Sequence, residues 1–243
     1  MNIIRAKDYD DMSRKAAAII AAQVVSKPDS ILGLATGSTP IGLYKDLIKW
    51  YEEGTLDFSR IRTWNLDEYQ GIERTNDQSY YYFMHENLFD HVNLPEGATH
   101  VLNGKNPDAE AECRAYDEAI QEAGGIDIQL LGLGHDGHIA FNEPQDDFPN
   151  GTHCVDLNPR TIEANARFFA SADEVPKKAY TMGIGSIMKA RKILVVVSGK
   201  DKAETLNAVL NGPVTPQCPG SILQFHPDVT VVADEAALSA CKF

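Results

Sequence analysis

The chain has 243 residues, 43% of them hydrophobic and 23% charged, enough for a sizeable core in one large α/β domain or two small ones. Its 22 basic residues against 35 acidic ones give a formal charge of −13, a field that opposes broad docking on nucleic acid or an anionic membrane. The start, MNIIRAKDYDDM, lacks the apolar segment of a secretory signal, and Cys113, Cys154, Cys218 and Cys241 form no CxxC pair, so a reduced, cytoplasmic protein is expected.

Asp10–Val25 contains AAAIIAAQVV and reads as a helix by propensity, stopped by Lys27-Pro28-Asp29-Ser30. Ile31–Ala35 is a short apolar strand running into Thr36-Gly37-Ser38-Thr39-Pro40. A helix to about Glu53 follows, with Thr39 placed to cap it and Pro40 at its first position. Ile61–Leu66 reads as a strand ending at Asp67-Glu68, and Asn76–Phe89 as a helix. Residues 93–107 are rich in turn formers. Asp108 then caps a helix to Glu122, stopped by Gly124-Gly125.

Ile126–Leu133 is a strand that empties into GLGHDGHIAFNEP (residues 132–144). Gln145–Gly151 reads as an exposed loop, Thr161–Phe169 as a helix and Ala179–Met182 as a short strand. A helix to about Ala190 and the β-branched strand Ile193–Val197 come next. The chain continues with Ser198-Gly199-Lys200-Asp201-Lys202, the helix Ala203–Leu210, the strand Val229–Val232 and a short terminal helix. Strands alternate with helices, and the most apolar strands are continuous runs. That pattern favours a three-layer α/β/α arrangement with a mainly parallel central sheet covered on both faces. Residues 1–243 are expected to form one domain, with room for a small lid or hairpin excursion within 142–180.

Several strand ends carry chemistry, and open α/β sheets bind ligands at that edge. The Thr36–Thr39 turn can offer N–H groups and hydroxyls to a phosphate, or can be a plain capped turn; it has no GxxxxGK[ST] or GxGxxG pattern. Either Asp67 or Glu68 is placed to act as a base, Asp67 being nearer the strand end. His138 has the one side-chain type here whose reference pKa, ~6.5, suits proton exchange near neutrality, and Asp136 or Glu143 can orient its ring. His135, Asp136, His138 and Glu143 are also potential metal ligands, although HDGH is not the HExxH pattern. A polar turn with satisfied histidines is the third reading. Arg167 lies among apolar residues and has the fork that clamps phosphate; Lys200 and Lys202 follow another strand.

LATGSTP, NLDEY, GLGHDGHIAFNEP, NARFF, AYTMGIGSIMKA and SGKDKA occur in this order. In these motifs the chain resembles the glucosamine-6-phosphate deaminase/isomerase family throughout its length. The related 6-phosphogluconolactonases share the fold and a GxGxDGH core but usually diverge after the histidine, where this chain continues IAFNEP. The resemblance implies a Rossmann-like fold and conversion of glucosamine 6-phosphate and water to fructose 6-phosphate and ammonia, without a metal or redox cofactor. It implies that Asp67 moves the C2 proton, that His138 assists ring opening and that Asp136 and Glu143 complete its relay. It places the phosphate against Gly37, Ser38, Thr39, Arg167 and Lys202. Long members are hexameric and allosterically activated. Only DEAALSACKF follows Val229–Ala233 here, so a monomer or small homo-oligomer is expected. His135 stands where many members carry Asn. A lactonase and a non-catalytic sugar-phosphate sensor are the alternative functions.

Overall fold

All four residues of Ile31–Leu34 are buried, as are all four of Ile128–Leu131, and the same holds for Ile193–Val197. A strand that is apolar on both sides needs cover on both faces, and that requirement organises this fold. The computed structural model describes residues 1–166, 169, 171 and 174–242. Among them, seven strands form the main sheet: β1 (Asn2–Ala6), β2 (Ile31–Leu34), β3 (Arg62–Asn65), β5 (Thr99–His100), β6 (Ile128–Leu131), β9 (Lys192–Val197) and β10 (Val229–Asp234). Their spatial order is β1-β10-β9-β6-β2-β3-β5, and every pairing is parallel. Helices flank this sheet in a Rossmann-like α/β arrangement.

The chain winds from β2 to β3 and β5 on one side, and from β6 to β9 and β10 on the other. The switch point therefore lies between β2 and β6, where the loops after the two strands diverge and leave a crevice at their carboxyl ends. The second sheet is antiparallel and has the order β4-β8-β7, with β4 (Asp67–Tyr69), β7 (His153–Asp156) and β8 (Lys178–Thr181).

Helix α1 (Tyr9–Ser26) is capped by Asp8, which accepts from the Asp11 N–H at 2.9 Å. Met12, Ala16, Ile20 and Val24 recur every fourth residue and bury the face that packs on β9 and β10. Helix α4 (Ala109–Glu122) begins at its expected cap, with Asp108 accepting from the Ala111 N–H. The remaining helices are α2 (Ile41–Glu52), α3 (Tyr80–Asn87), α5 (Pro159–Asn165), α6 (Ile184–Met188) and α7 (Ala203–Asn211). Tyr69, Ile72, Phe141, Leu157 and Ala179 form a separate small core against the antiparallel sheet.

Several local expectations are corrected. Thr39 does not cap α2; the cap position is Pro40, which has no side-chain acceptor. Helix α3 starts at Tyr80, after Ser79 accepts from the Tyr82 N–H, so residues 76–79 are outside it. Helix α5 starts earlier than expected because Asn158 caps it and Pro159 fits its first turn. Residues 235–240 form turns, not a terminal helix. Strands β1, β5 and β7 have no counterpart in the sequence reading.

Candidate active site

Strands β9, β6, β2 and β3 are neighbours in the main sheet, and the segments leaving their carboxyl ends line one cleft of about 420 Å³. From β2 come Thr36, Gly37, Ser38 and Thr39. From β3 come Leu66 and Asp67, from β6 Gly134, His135, Asp136, His138, Ala140 and Phe141, and from beyond β9 Lys202. A parallel sheet thus brings together at its carboxyl edge residues up to 166 positions apart in sequence (36 to 202).

The loop after β2 leaves main-chain donors free. Gly37 has φ +94, a left-handed turn that an L side chain rarely adopts. Among the described residues, no hydrogen bond uses the N–H groups of Thr36, Gly37, Ser38 or Thr39. The loop is held from behind, where Tyr9 Oη donates to Ser38 O at 3.1 Å and Tyr44 Oη to Ala35 O.

The two acids at the end of β3 have opposite fates. Glu68 is buried, and its carboxylate accepts from the N–H groups of Tyr69, Tyr80 and Tyr81 at 2.9, 3.0 and 3.0 Å. It therefore anchors the first turn of α3. Burial raises its pKa, and these three donors together with Arg74 oppose the rise. Asp67 faces the cleft, and no hydrogen bond reaches its carboxylate among the described residues. Burial, with the adjacent Glu68 charge, pushes its carboxyl up to about 8. Of these two acids, Asp67 is the one whose carboxylate is available to a ligand.

The loop after β6 folds tightly around its histidine. His138 Nδ1 lies 2.6 Å from Asp136 Oδ1, within ion-pair distance but without the alignment of a linear hydrogen bond. The same Asp136 oxygen accepts from the His138 N–H at 3.1 Å. Burial works to raise the Asp136 carboxyl, but the His138 side chain and main-chain donors outweigh it and bring it down to about 2. A Cβ on Gly134 would sit 2.3 Å from His138 Cε1, so the ring can occupy this place only over a glycine.

The sequence leaves Asp136 and Glu143 as alternative partners for His138, and the structure puts Asp136 beside the ring. The buried Glu143 carboxylate instead accepts from Thr161 Oγ1 and, at 3.1 Å, from the Asn158 N–H at the start of α5. His135 turns outward to Asp201 and Lys202. Among the described residues, no group of three His, Cys, Asp or Glu side chains is placed to hold a metal ion. Burial draws the Lys202 ammonium down, opposed by Asp201 and Asp136. Lys200 is exposed, and Arg167 lies outside the described residues.

A family model for glucosamine-6-phosphate isomerases and 6-phosphogluconolactonase matches residues 7–232. The chain belongs to this family. It is 60% identical over 232 residues to a glucosamine-6-phosphate deaminase of Lachnoclostridium phytofermentans, a match covering 96% of this chain and 98% of that one. A solved structure of a monomeric glucosamine-6-phosphate deaminase superposes with a TM-score of 0.96 at 44% identity, covering 99% of this chain and 100% of the other. A 6-phosphogluconolactonase of Thermotoga maritima has a TM-score of 0.74 at 21% identity, covering 96% of this chain and 99% of that one, a likeness of fold.

Three lining residues of this family member are not singled out by sequence reasoning. Tyr80 contributes a ring 4.8 Å from Tyr69 and stacked at 6.1 Å on Phe141, forming an apolar wall beside Asp67. Thr161 reaches the cleft from α5 while it holds Glu143. Ala140 has φ +52, and its neighbours are fixed by Asn142 Nδ2 donating to Ile139 O and Met182 O. A helical cap ahead of Thr161 was the available signal for one of them; nothing local marks the other two.

Proposed function

We propose that the chain converts glucosamine 6-phosphate and water to fructose 6-phosphate and ammonia in this cleft. The observation that carries the reading is the pairing of an unbonded Asp67, whose carboxyl burial raises to about 8, with the Asp136–His138 pair in one cavity. The deaminases at 44% and 60% identity support it. Lactone hydrolysis would need no base for a carbon-bound proton, so the buried Asp67 favours deamination.

The unpaired N–H groups of Gly37, Ser38 and Thr39, with the Lys202 ammonium, receive the phosphate; Arg167 is the further cation on this reading. Phosphate binding is remote from the reacting carbons and positions them over Asp67. His138 opens the pyranose by moving a proton between the anomeric hydroxyl and the ring oxygen, and the Asp136 carboxylate stabilises its charged form. Asp67 then takes the C2 proton, giving an enolic intermediate. Return of that proton to C1 leaves an imine at C2, which water attacks to release ammonia. An aspartate in water, with a reference pKa of ~3.9, is a poor base for carbon; desolvation is what raises Asp67.

Glu143 acts through α5, whose N-terminus it holds. Within residues 142–180, the described elements β7, α5 and β8 form on this reading a small cover for the cleft within a single domain. A monomer or small homo-oligomer fits the likeness to a monomeric deaminase. The test is ammonia release from glucosamine 6-phosphate by the purified protein, with 6-phosphogluconolactone offered in parallel. No ammonia above a heat-killed control rules the reading out. Lactone hydrolysis in its place establishes the alternative, and fructose 6-phosphate binding without turnover indicates a sensor.

A further inference from the structure

His135 belongs to the cleft loop but bonds away from His138. Its Nε2 lies 2.7 Å from Asp201 Oδ2, and Lys202 Nζ lies 3.1 Å from its Nδ1. Thr205 Oγ1, in the first turn of α7, donates to the His135 carbonyl at 2.6 Å. An ammonium can only donate, so Nδ1 carries no proton in this arrangement, and the ring proton sits on Nε2 facing the carboxylate. The order is therefore carboxylate, neutral imidazole, ammonium.

We propose that His135 is a positioning residue that holds the Lys202 ammonium at the mouth of the cleft in a form that a phosphate can take. The proposal rests on Lys202 meeting the substrate phosphate. Lysine is a point charge on a long flexible stem, and two carboxylates, Asp201 and Asp136, act on this one. A direct ion pair with either would compete with the substrate. The His135 ring occupies the Asp201 carboxylate with its own N–H and offers Lys202 a neutral acceptor instead, a weaker partner that a dianionic phosphate displaces. His135 and Asp201 are 69% and 61% exposed at their side chains, so the hydrogen bond between them contributes little to folding. Its effect falls on where the ammonium points.

The test compares the parent protein with His135→Ala and His135→Asn. Binding of inorganic phosphate is measured by calorimetry, and KM and kcat by ammonia release from glucosamine 6-phosphate. Loss of one such acceptor is expected to weaken phosphate binding and raise KM by about threefold to tenfold in His135→Ala, with kcat within about twofold. His135→Asn keeps an acceptor oxygen close to the position of Nδ1 and is expected to recover phosphate affinity to within about twofold. Unchanged phosphate affinity in His135→Ala overturns the proposal, as does a fall in kcat at constant KM. Equal impairment of the two variants, or no phosphate binding by the parent, overturns it too. If phosphate binding follows the expected order but the parent releases no ammonia, the deaminase reading fails and the His135 assignment stands.

Discussion

Asp67 sits directly opposite Thr181 in the antiparallel pairing of β4 with β8, and the Thr181 hydroxyl accepts the Phe141 N–H at 3.0 Å. One threonine thereby ties the proposed base to the loop that carries His138, although the two come from different strands of the main sheet. Met182 N donates to Leu66 O at 2.7 Å beside it, reinforcing the same register.

Thr181→Val keeps the shape of the side chain and removes that acceptor. The buried Phe141 N–H is left unpaired, at a cost of about 1–3 kcal/mol, visible in chemical denaturation. We expect kcat to fall at least as much as the stability loss suggests, since the 139–142 turn sets the His138 loop. Unaltered stability would show that the turn is held by Asn142 alone.

Asp67→Asn should be more stable than the parent near neutral pH. The folded carboxyl is raised to about 8 from 3.8, so the stability that the neutral acid contributes is complete below the unfolded value and is lost as pH rises through about 8. An amide is neutral at all these values. The variant is expected to melt above the parent at about pH 8, with the gap closing toward about pH 4. A constant gap across that range would mean that ionisation of Asp67 is not what separates them.

The free enzyme's kcat/KM should rise with pH through a limb near 8, because the proposed base must lose its proton before it can take one from C2. Asp136, down at about 2, stays ionised throughout and contributes no limb in the neutral range. A profile that falls between about pH 7 and 8.5 would contradict the assignment of Asp67 as the base.

Gly37→Ala introduces a side chain where φ is +94 and where a Cβ meets nothing within 4 Å. The effect is therefore strain in the loop, about 1–2 kcal/mol, with no clash. We expect KM for the sugar phosphate to rise roughly tenfold with a smaller change in kcat, measured by steady-state ammonia release. A change confined to kcat would remove this loop from phosphate binding.

Much of the frame is legible in the residues because β2 and β9 are apolar runs and β6 is apolar but for the buried Gln129, while the acids that follow β3 and β6 are out of place in a core. NIIRA gives no such signal; β1 is a mixed edge strand that forms only because β10 offers it a partner. Two-residue β5 and the partly exposed β7 likewise exist through pairing. The terminal segment has helix formers, yet Asp234 accepts the Ala237 N–H and holds turns there. At the site, spacing cannot tell Asp67 from Glu68. Their difference arises from α3, whose N-terminal N–H groups claim Glu68 from twelve residues away.

The most direct measurement is ammonia release from glucosamine 6-phosphate by the parent and Asp67→Asn, with fructose 6-phosphate binding followed in both. The parent should release ammonia. The variant should bind fructose 6-phosphate with similar affinity but turn over at least about 10³-fold more slowly. Equal rates in the two proteins, or no ammonia from the parent, would contradict a deaminase built around Asp67.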